Sequence, residues 1–373
     1  MAADRSPELF LIDGNSLAYR AFFALPESIA TSRGMPTNAI FGFASMLVKI
    51  LTDHGSRSTV VVWDAGNSGR VEEYPEYKAE RRSRPDLLAQ QWPHLEPLVE
   101  AFGYRNIKVA GYEADDVIAL LAERARAEGI DVMAVTGDRD ALQLVEPGVR
   151  VMTTSRGITD TRIYDRQAVI DRYGVAPELI PDFIGLKGDT SDNIPGVPGI
   201  GDKTAAELLQ RFGDLDTVLA SVDEISGKKR KENLVEHADD ARMSKRLATA
   251  IRDIEVDLDL GDALTGEPDR SRLREVFREF ELRDPLARLE EALGAADAAP
   301  RERAPVELHA RAVAVPVADL ARLEGELPTL VAEAATPLRF AAYAGGDEVA
   351  VGEAETLAAL ELAWGERPLV THD

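Results

Sequence analysis

Glu113, Asp115 and Asp116 place three carboxylates within four consecutive residues, in Gly111-Tyr-Glu-Ala-Asp-Asp116, just ahead of the apolar run Val117-Ile-Ala-Leu-Leu121. Like charges at that density repel unless a cation or a helix N-terminus offsets them. Two further pairs follow: Asp138 with Asp140 in Thr136-Gly-Asp-Arg-Asp140, and Asp189 with Asp192 in Gly188-Asp-Thr-Ser-Asp192. Asp13 and Asp64 each end a short apolar run. The chain has no cysteine, and its five histidines (His54, His94, His237, His309 and His372) all lie outside the acidic motifs. Oxygen donors alone suit Mg²⁺ or Mn²⁺ rather than zinc. The carboxylates exceed what one Mg²⁺ needs, which points to two ions and to hydrolysis of a phosphodiester.

The elements that must position these groups are legible as a repeated theme. Glu8-Leu-Phe-Leu-Ile-Asp13, Thr59-Val-Val-Val-Trp-Asp64 and Asp131-Val-Met-Ala-Val-Thr-Gly-Asp138 are apolar strands that each run into an aspartate, with helical patterns between them. Continuously apolar strands separated by helices predict an α/β fold, a mostly parallel central sheet flanked by helices, with ligands at the carboxyl ends of its strands. Any one of these aspartates could simply cap the helix that follows it. Together, and in this order, caps explain them poorly. Within the clusters, Asp138 and Asp140 share one side if their loop is extended, and Asp189 and Asp192 share one face if theirs is a helical turn. Glu113, Asp115 and Asp116 cannot all face one way on a regular helix, which leaves open whether Asp115 or Asp116 stands back from the ion.

Between Asp64 and the next helix, Arg70, Lys78, Arg81, Arg82 and Arg84 interleave with Tyr74 and Tyr77. Cations for phosphates and aromatic rings for bases suit a single-stranded nucleic acid, although four glutamates in the same stretch also fit a solvated loop. Lys78, with Arg70 or Arg81, is placed over the scissile phosphate, where a cation stabilises developing charge. Downstream, Asn193-Ile-Pro-Gly-Val-Pro-Gly-Ile-Gly-Asp-Lys203 joins a glycine-punctuated hairpin to a helix. Gly196, Gly199 and Gly201 let backbone N–H groups approach a phosphate, and Lys203 and Thr204 open the helix beyond it. Gly227-Lys-Lys-Arg-Lys231 is a basic run that fits duplex phosphates or a solvated turn equally.

The formal charge of −23 argues against a polyanionic partner until its distribution is considered. Residues 291–373 hold six Lys and Arg against fifteen Asp and Glu, and much of the remaining excess lies in the acidic clusters. No apolar run approaches a membrane span and no export signal opens the chain, so a cytoplasmic location is expected. Ser271–Leu293 reads as two amphipathic helices broken at Pro285, with Phe277, Phe280, Leu282, Leu286 and Leu289 packing inward. Residues 294–305 have the composition of a linker. Beyond it, Val313–Val317, Leu338–Tyr343, Glu348–Val351 and Pro368–Thr371 read as strands of a second α/β domain that ends before its core can close.

The series Leu-Ile-Asp-Gly-Asn-Ser, Val-Val-Trp-Asp, Tyr-Pro-Glu-Tyr-Lys-Ala-Glu-Arg, Gly-Tyr-Glu-Ala-Asp-Asp, Thr-Gly-Asp-Arg-Asp and Gly-Ile-Gly-Asp-Lys-Thr-Ala resembles the 5′ nuclease (flap endonuclease-like) domain at the N-terminus of bacterial DNA polymerase I. The resemblance covers about residues 8–290. It implies the PIN-like 5′ nuclease fold over 1–175, with a helical arch at about 65–85, and a helix–hairpin–helix subdomain over 176–293. Residues 306–373 resemble, more weakly, the opening of a 3′–5′ exonuclease-like domain. They lack its Asp-x-Glu motif and are expected to be inactive, and the chain is expected to be a piece of a longer protein without its polymerase. By resemblance, Asp13, Asp64, Glu113 and Asp115 look like ligands of one ion and Asp138, Asp140 and Asp189 of the other, with Asp116 and Asp192 assisting. The family also implies DNA bearing 5′ flaps, nicks or RNA primers as partner, contacts from Tyr77 and Arg82, K⁺ at the hairpin, and a monomer. Ser68-Gly69 departs from the family, where an aromatic residue commonly precedes the arginine at Arg70. Two other readings of the residues compete: a branched-DNA binder that does not cut, and a small-molecule phosphohydrolase. The second leaves the hairpin and the cationic stretch without a purpose.

Overall fold

Strand β1 (Glu8–Asp13) carries Leu9 and Leu11 on one face and Phe10 and Ile12 on the other, and all four are fully buried. Burial of both faces is what a parallel sheet between helical layers demands. The computed structural model describes residues 8–55, 58–81, 83–156, 160–263, 268–297, 311–322, 329–333, 337–343 and 348–364. It places β1 at the centre of a six-stranded sheet with β2 (Thr59–Trp63), β3 (Arg105–Lys108), β4 (Asp131–Val135), β5 (Val149–Arg156) and β6 (Asp160–Tyr164), in the order β3-β2-β1-β4-β5-β6. Every neighbouring pair is parallel except β5 and β6, which close one edge as an antiparallel pair. The three aspartate-ended strands are therefore β2, β1 and β4, side by side at the middle of the sheet.

Two apolar layers cover them. Leu9, Leu11, Val60, Val62, Val132 and Ala134 pack against Val117, Ile118 and Leu121 of the helix Ala114–Ala127. Phe10, Ile12, Val61 and Met133 face Phe43, Leu47 and Ile50 of the helix Asn38–His54. Trp63 ends β2 in this second layer, stacked on Phe43 and donating its indole N–H to Asn106 at 2.8 Å. Gly14 lies under that ring, where a Cβ would come within 2.7 Å of it, so only glycine permits the approach that starts the first helix.

A helical lobe follows, from Ile180–Lys187 through Asp202–Phe212, Leu215–Ala220 and Lys228–Glu236 to Ala238–Ala248. Its buried polar anchor is Asp182, which accepts from the Leu215 N–H at 2.9 Å and from Lys245 at 2.7 Å. The chain then returns along the sheet layer, where Arg124 donates to the carbonyls of Val256 and Leu258. Two last helices, Arg270–Glu279 and Arg283–Asp297, bury Leu273, Phe277, Phe280, Leu282 and Leu289 on the Phe43 side. The break between them is not at Pro285. It lies at Phe280–Leu282, where Glu281 takes φ 54°, and Pro285 sits in the first turn of the next helix, where its missing N–H costs nothing.

Residues 1–298 form one compact unit and 299–373 a second. The second contains β7 (Arg311–Ala314), β8 (Thr329–Glu333), β9 (Leu338–Tyr343) and β10 (Glu348–Ala354), in the order β7-β10-β9-β8. Contrary to the sequence expectation, it closes a small core, of Leu320, Phe340, Ala342, Ala350, Ala354, Leu360 and Trp364. Strand β8 completes the sheet, and the helix Leu357–Trp364 supplies the cover. The strand expected at Pro368–Thr371 lies outside the described residues. Among the described residues no helix is long and apolar enough to cross a membrane.

Candidate active site

Asp13 closes β1 and does two things at once. Its Oδ1 accepts from the Ser16 N–H at 2.8 Å, capping the following helix, and its Oδ2 accepts from the Thr136 hydroxyl at 2.9 Å in the loop beyond β4. The cap reading is fulfilled, and the same carboxylate also ties β1 to the loop beyond β4. Asp64, just past β2, accepts from the Ala114 N–H at 2.8 Å and so sits at the start of the helix Ala114–Ala127. Asp13, Asp64, Asp115, Asp138 and Asp189 line one open cleft of about 810 Å³. A small inner cavity behind it is lined by Glu113, Asp140 and Asp192, and again by Asp115 and Asp138.

The second wall is cationic. Lys78 sits 2.8 Å from Glu113 Oε1 and 3.5 Å from Asp192, and Arg81 pairs with Asp192 at 2.5 Å. Burial disfavours the Lys78 ammonium, but Glu113, Tyr77 and Asp192 override it and raise its pKa above the usual lysine value. Lys78 holds this place in a left-handed conformation, φ 56°, with its N–H donated to the Asp192 carbonyl at 2.9 Å. Asn193 has the same φ and donates its side-chain amide to the Glu76 carbonyl at 2.8 Å. Two strained non-glycine turns thus lock the cationic stretch to the Asp189–Asp192 turn, a use of strain that concentrates at functional sites. That turn is closed by the Asp189–Ile194 backbone pair and is not helical. Asp138 and Asp140 converge on the inner cavity although Asp140 opens a 3₁₀ turn and the loop is not extended.

The structure separates the adjacent aspartates of the first cluster. Asp115 faces both cavities, whereas Asp116 is fully buried and points the other way, into a bidentate pair with Arg70 at 2.7 and 2.9 Å. Asp116 also accepts from the Ser68 hydroxyl and the Ile251 N–H. The expectation that Asp116 assists an ion is corrected on this geometry, because its lone pairs are already taken. Arg70 is corrected with it. Its guanidinium is buried and donates to the Leu247 and Thr249 carbonyls and to Glu113 as well as twice to Asp116, which engages all five of its N–H groups. Tyr77, expected to stack on a base, is 4% exposed and donates to Glu113 at 3.0 Å. Aromatics among charges read as surface in a sequence, but this ring belongs to the core. Arg82 lies outside the described residues.

In the hairpin, Gly196 is buried, with φ 63°, and a Cβ there would come within 2.2 Å of the Gly188 nitrogen. It serves a close backbone approach inside the lobe and not an exposed phosphate contact. Gly199 and Gly201 are exposed, Thr204 is half-buried, and the Lys203 side chain is 90% exposed at the start of the helix Asp202–Phe212. The basic run opens the helix Lys228–Glu236, which Asn233 ties to the hairpin through the Pro198 carbonyl at 2.7 Å. Sequence reasoning missed Arg20 and Arg139, which also line the cleft. Arg20 could have been found, since it lies two helical turns beyond Asp13 on a helix that starts at the strand end. None of the described histidines lines either cavity: His54 packs on Phe10, His94 on Phe280, and His237 pairs with Asp240.

The donors present fit divalent cations. The Oδ1 atoms of Asp115 and Asp140 are buried with no hydrogen-bond partner, a costly arrangement for a carboxylate unless a cation meets it. Among the described residues no three carboxylates form a tight cage. An ion that keeps several of its waters does not require one. Burial, and then Asp64, raise the Asp13 carboxyl from its ordinary 3.8 to about 7. Burial and neighbouring carboxylates also raise Asp115, Asp138 and Asp140. A carboxyl with a raised folded-state pKa keeps its proton where the unfolded chain has lost it, so its stabilising effect, full below 3.8, is lost as pH climbs to about 7 for Asp13. The melting temperature in EDTA is therefore expected to fall between pH 5 and 7.5, with Mg²⁺ flattening the slope. Calorimetry across that range checks the sign, and a rise would reject it.

Two consecutive family models match this chain: "5′-3′ exonuclease, N-terminal resolvase-like domain" over residues 8–174, and "5′-3′ exonuclease, C-terminal SAM fold" over residues 175–271. The chain belongs to the 5′–3′ exonuclease family. DNA polymerase I of Bacillus caldotenax is 46% identical over 284 residues, covering 76% of this chain and 32% of that protein. The chain thus spans about a third of the length of the curated relatives it matches. A bacteriophage T5 flap endonuclease solved with DNA and metal ions shares the fold, with a TM-score of 0.53 and 22% identity over 77% of this chain and 99% of that one. The catalytic core of Rad2, solved with a DNA substrate, gives a TM-score of 0.53 and 20% identity over 78% of this chain and 93% of that one.

Proposed function

We propose that this chain is a structure-specific 5′ nuclease that hydrolyses phosphodiesters near 5′ ends and flaps of DNA, using two Mg²⁺ or Mn²⁺ ions. The observation that carries the reading is the pair of buried, partnerless carboxylate oxygens on Asp115 and Asp140, which both line the inner cavity, with Asp115 also lining the open cleft that Lys78 and Arg81 border. Asp13, Asp64, Glu113 and Asp115 would hold one ion, and Asp138, Asp140 and Asp189 the other, with Asp192 turning Arg81 and Lys78 toward them. When bound, the ions supply an activated water and neutralise charge on the leaving oxygen. Lys78 and Arg81 orient the phosphate and stabilise charge developing on it. The substrates proposed are flaps, nicks and RNA-primed ends, taken up by a monomer. Cleavage of a 5′-labelled flap duplex in Mg²⁺, abolished by EDTA, tests the reading. Binding without cleavage, with Mn²⁺ also tried, would turn it into a branched-DNA binder.

The hairpin and the two helices tied to it would grip the duplex, with K⁺ a further candidate ligand there. Exposed Lys203 is its leading phosphate contact. Lys203→Ala is expected to weaken duplex binding at every sequence and to lower the slope of log affinity against log salt by about one contact. A salt titration by fluorescence anisotropy measures this, and an unchanged slope removes Lys203 from the interface.

A further inference from the structure

The last two residues of the helix Ala238–Ala248 and the three that follow it, Leu247 to Ile251, run behind the acidic clusters, and each gives a backbone group to Arg70, Gln143 or Asp116. Arg70 donates to the Leu247 carbonyl at 2.7 Å and to the Thr249 carbonyl at 3.1 Å. Gln143 donates to the Ala248 carbonyl at 2.8 Å and accepts from the Ala250 N–H at 2.9 Å. Asp116 accepts from the Ile251 N–H at 2.7 Å. The strap therefore touches both carboxylate clusters: Asp116 is the neighbour of Asp115, and Gln143 shares a 3₁₀ turn with Asp140. At its other end the strap continues the helix whose Ser244 hydroxyl accepts from the Gly196 N–H at 3.3 Å. A connected path leads from the hairpin to the clusters.

Asp140 is joined to that path through Gln143. No hydrogen bond holds its Oδ1, so the place of the backbone at residue 140 bears directly on where that oxygen lies. Besides the 3₁₀ turn it opens, that backbone is held by two side-chain bonds, its N–H donated to Asp138 Oδ1 at 3.1 Å and its carbonyl accepting from Gln143 Nε2 at 2.9 Å. Gln143 is in turn held by the strap through both atoms of its amide. We propose that Gln143 is a positioning residue, which transmits the place of the strap to Asp140 and so sets the affinity of the ion that Asp140 would hold. The proposal rests on the reading of these carboxylates as a divalent-cation site.

Residues that orient metal ligands typically alter metal affinity or activity by about 10- to 100-fold when removed. Titration of the full chain with Mn²⁺ by calorimetry, without DNA, is expected to show one class of sites weakened about tenfold or more in Gln143→Met. Arg124→Met is the control, because it loosens the chain just beyond the strap, at Val256 and Leu258, without reaching Asp140, and it is expected to leave Mn²⁺ affinity within about twofold. Unchanged affinity in Gln143→Met, or an equal loss in Arg124→Met, overturns the proposal. Should Gln143→Met fail to fold, hydrogen exchange in the unmodified chain decides instead. Mn²⁺ is expected to slow exchange of the Ala250 and Ile251 amides several-fold and to leave the Leu215 amide unchanged, and equal or absent slowing overturns the proposal. If the unmodified chain binds Mn²⁺ but cuts no flap DNA, the nuclease reading falls while these measurements still judge Gln143.

Discussion

Asp138→Asn is expected to lower flap cleavage by roughly three orders of magnitude while raising the melting temperature of the chain in EDTA. The first effect follows from the several kcal/mol that a divalent ion contributes to a phosphoryl transition state, each ~1.4 kcal/mol being tenfold in rate. Asp138 lines both the open cleft and the inner cavity, so no other ligand of its cluster can replace it from both sides. The second effect follows from electrostatics. Burial, and then Asp192, push the Asp138 carboxyl above its ordinary value, which means that its charge opposes folding when no cation is present. Asparagine removes that charge and keeps an oxygen to accept the Asp140 N–H. A site that gains stability as it loses function is the signature of strain held for chemistry. The measurements are single-turnover cleavage in Mg²⁺ and calorimetry in EDTA, with duplex binding as a control. Loss of cleavage accompanied by a lower melting temperature would assign Asp138 to the fold instead.

The parts of this site that were legible in the sequence are those that local pattern determines. An apolar strand running into an aspartate was seen three times, and β1, β2 and β4 are adjacent and parallel, because such runs are buried on both faces only at the middle of a sheet. Strand β3 carries no such signal, since Arg105-Asn-Ile-Lys108 is an edge with exposed ends and a single apolar residue. The roles of neighbours within a cluster were not legible either. Asp115 and Asp116 look alike in sequence, and what separates them is Arg70 from one distant segment and the Ile251 N–H from another, 135 residues away. The same holds for Tyr77, whose hydroxyl bond to Glu113 brings it inward from a stretch that reads as solvated. In the second unit, Thr329-Leu-Val-Ala-Glu333 is too short to announce a strand, yet it pairs antiparallel with β9 and forms one edge of the sheet.

The reassigned arginine carries the largest stability effect. Arg70→Met is expected to destabilise the chain by about 3–5 kcal/mol, the usual cost of leaving one member of a buried ion pair without its partner. Asp116 has no exposure at all, and two of the bonds to its oxygens come from Arg70. Arg70→Lys is not expected to rescue, because an ammonium cannot reproduce the planar fork that meets Asp116 twice and two backbone carbonyls besides. The double variant Arg70→Met/Asp116→Leu removes both charges and is expected to lose less than the sum of the single losses, by about 1–3 kcal/mol of coupling. Denaturant unfolding of the four proteins measures that cycle. A phosphate-contacting arginine would behave in the opposite way: its loss would leave the unfolding midpoint in place, lower affinity for DNA and show no coupling to Asp116. The two roles for Arg70 are thus separated by experiments on the DNA-free chain, before any cleavage is measured.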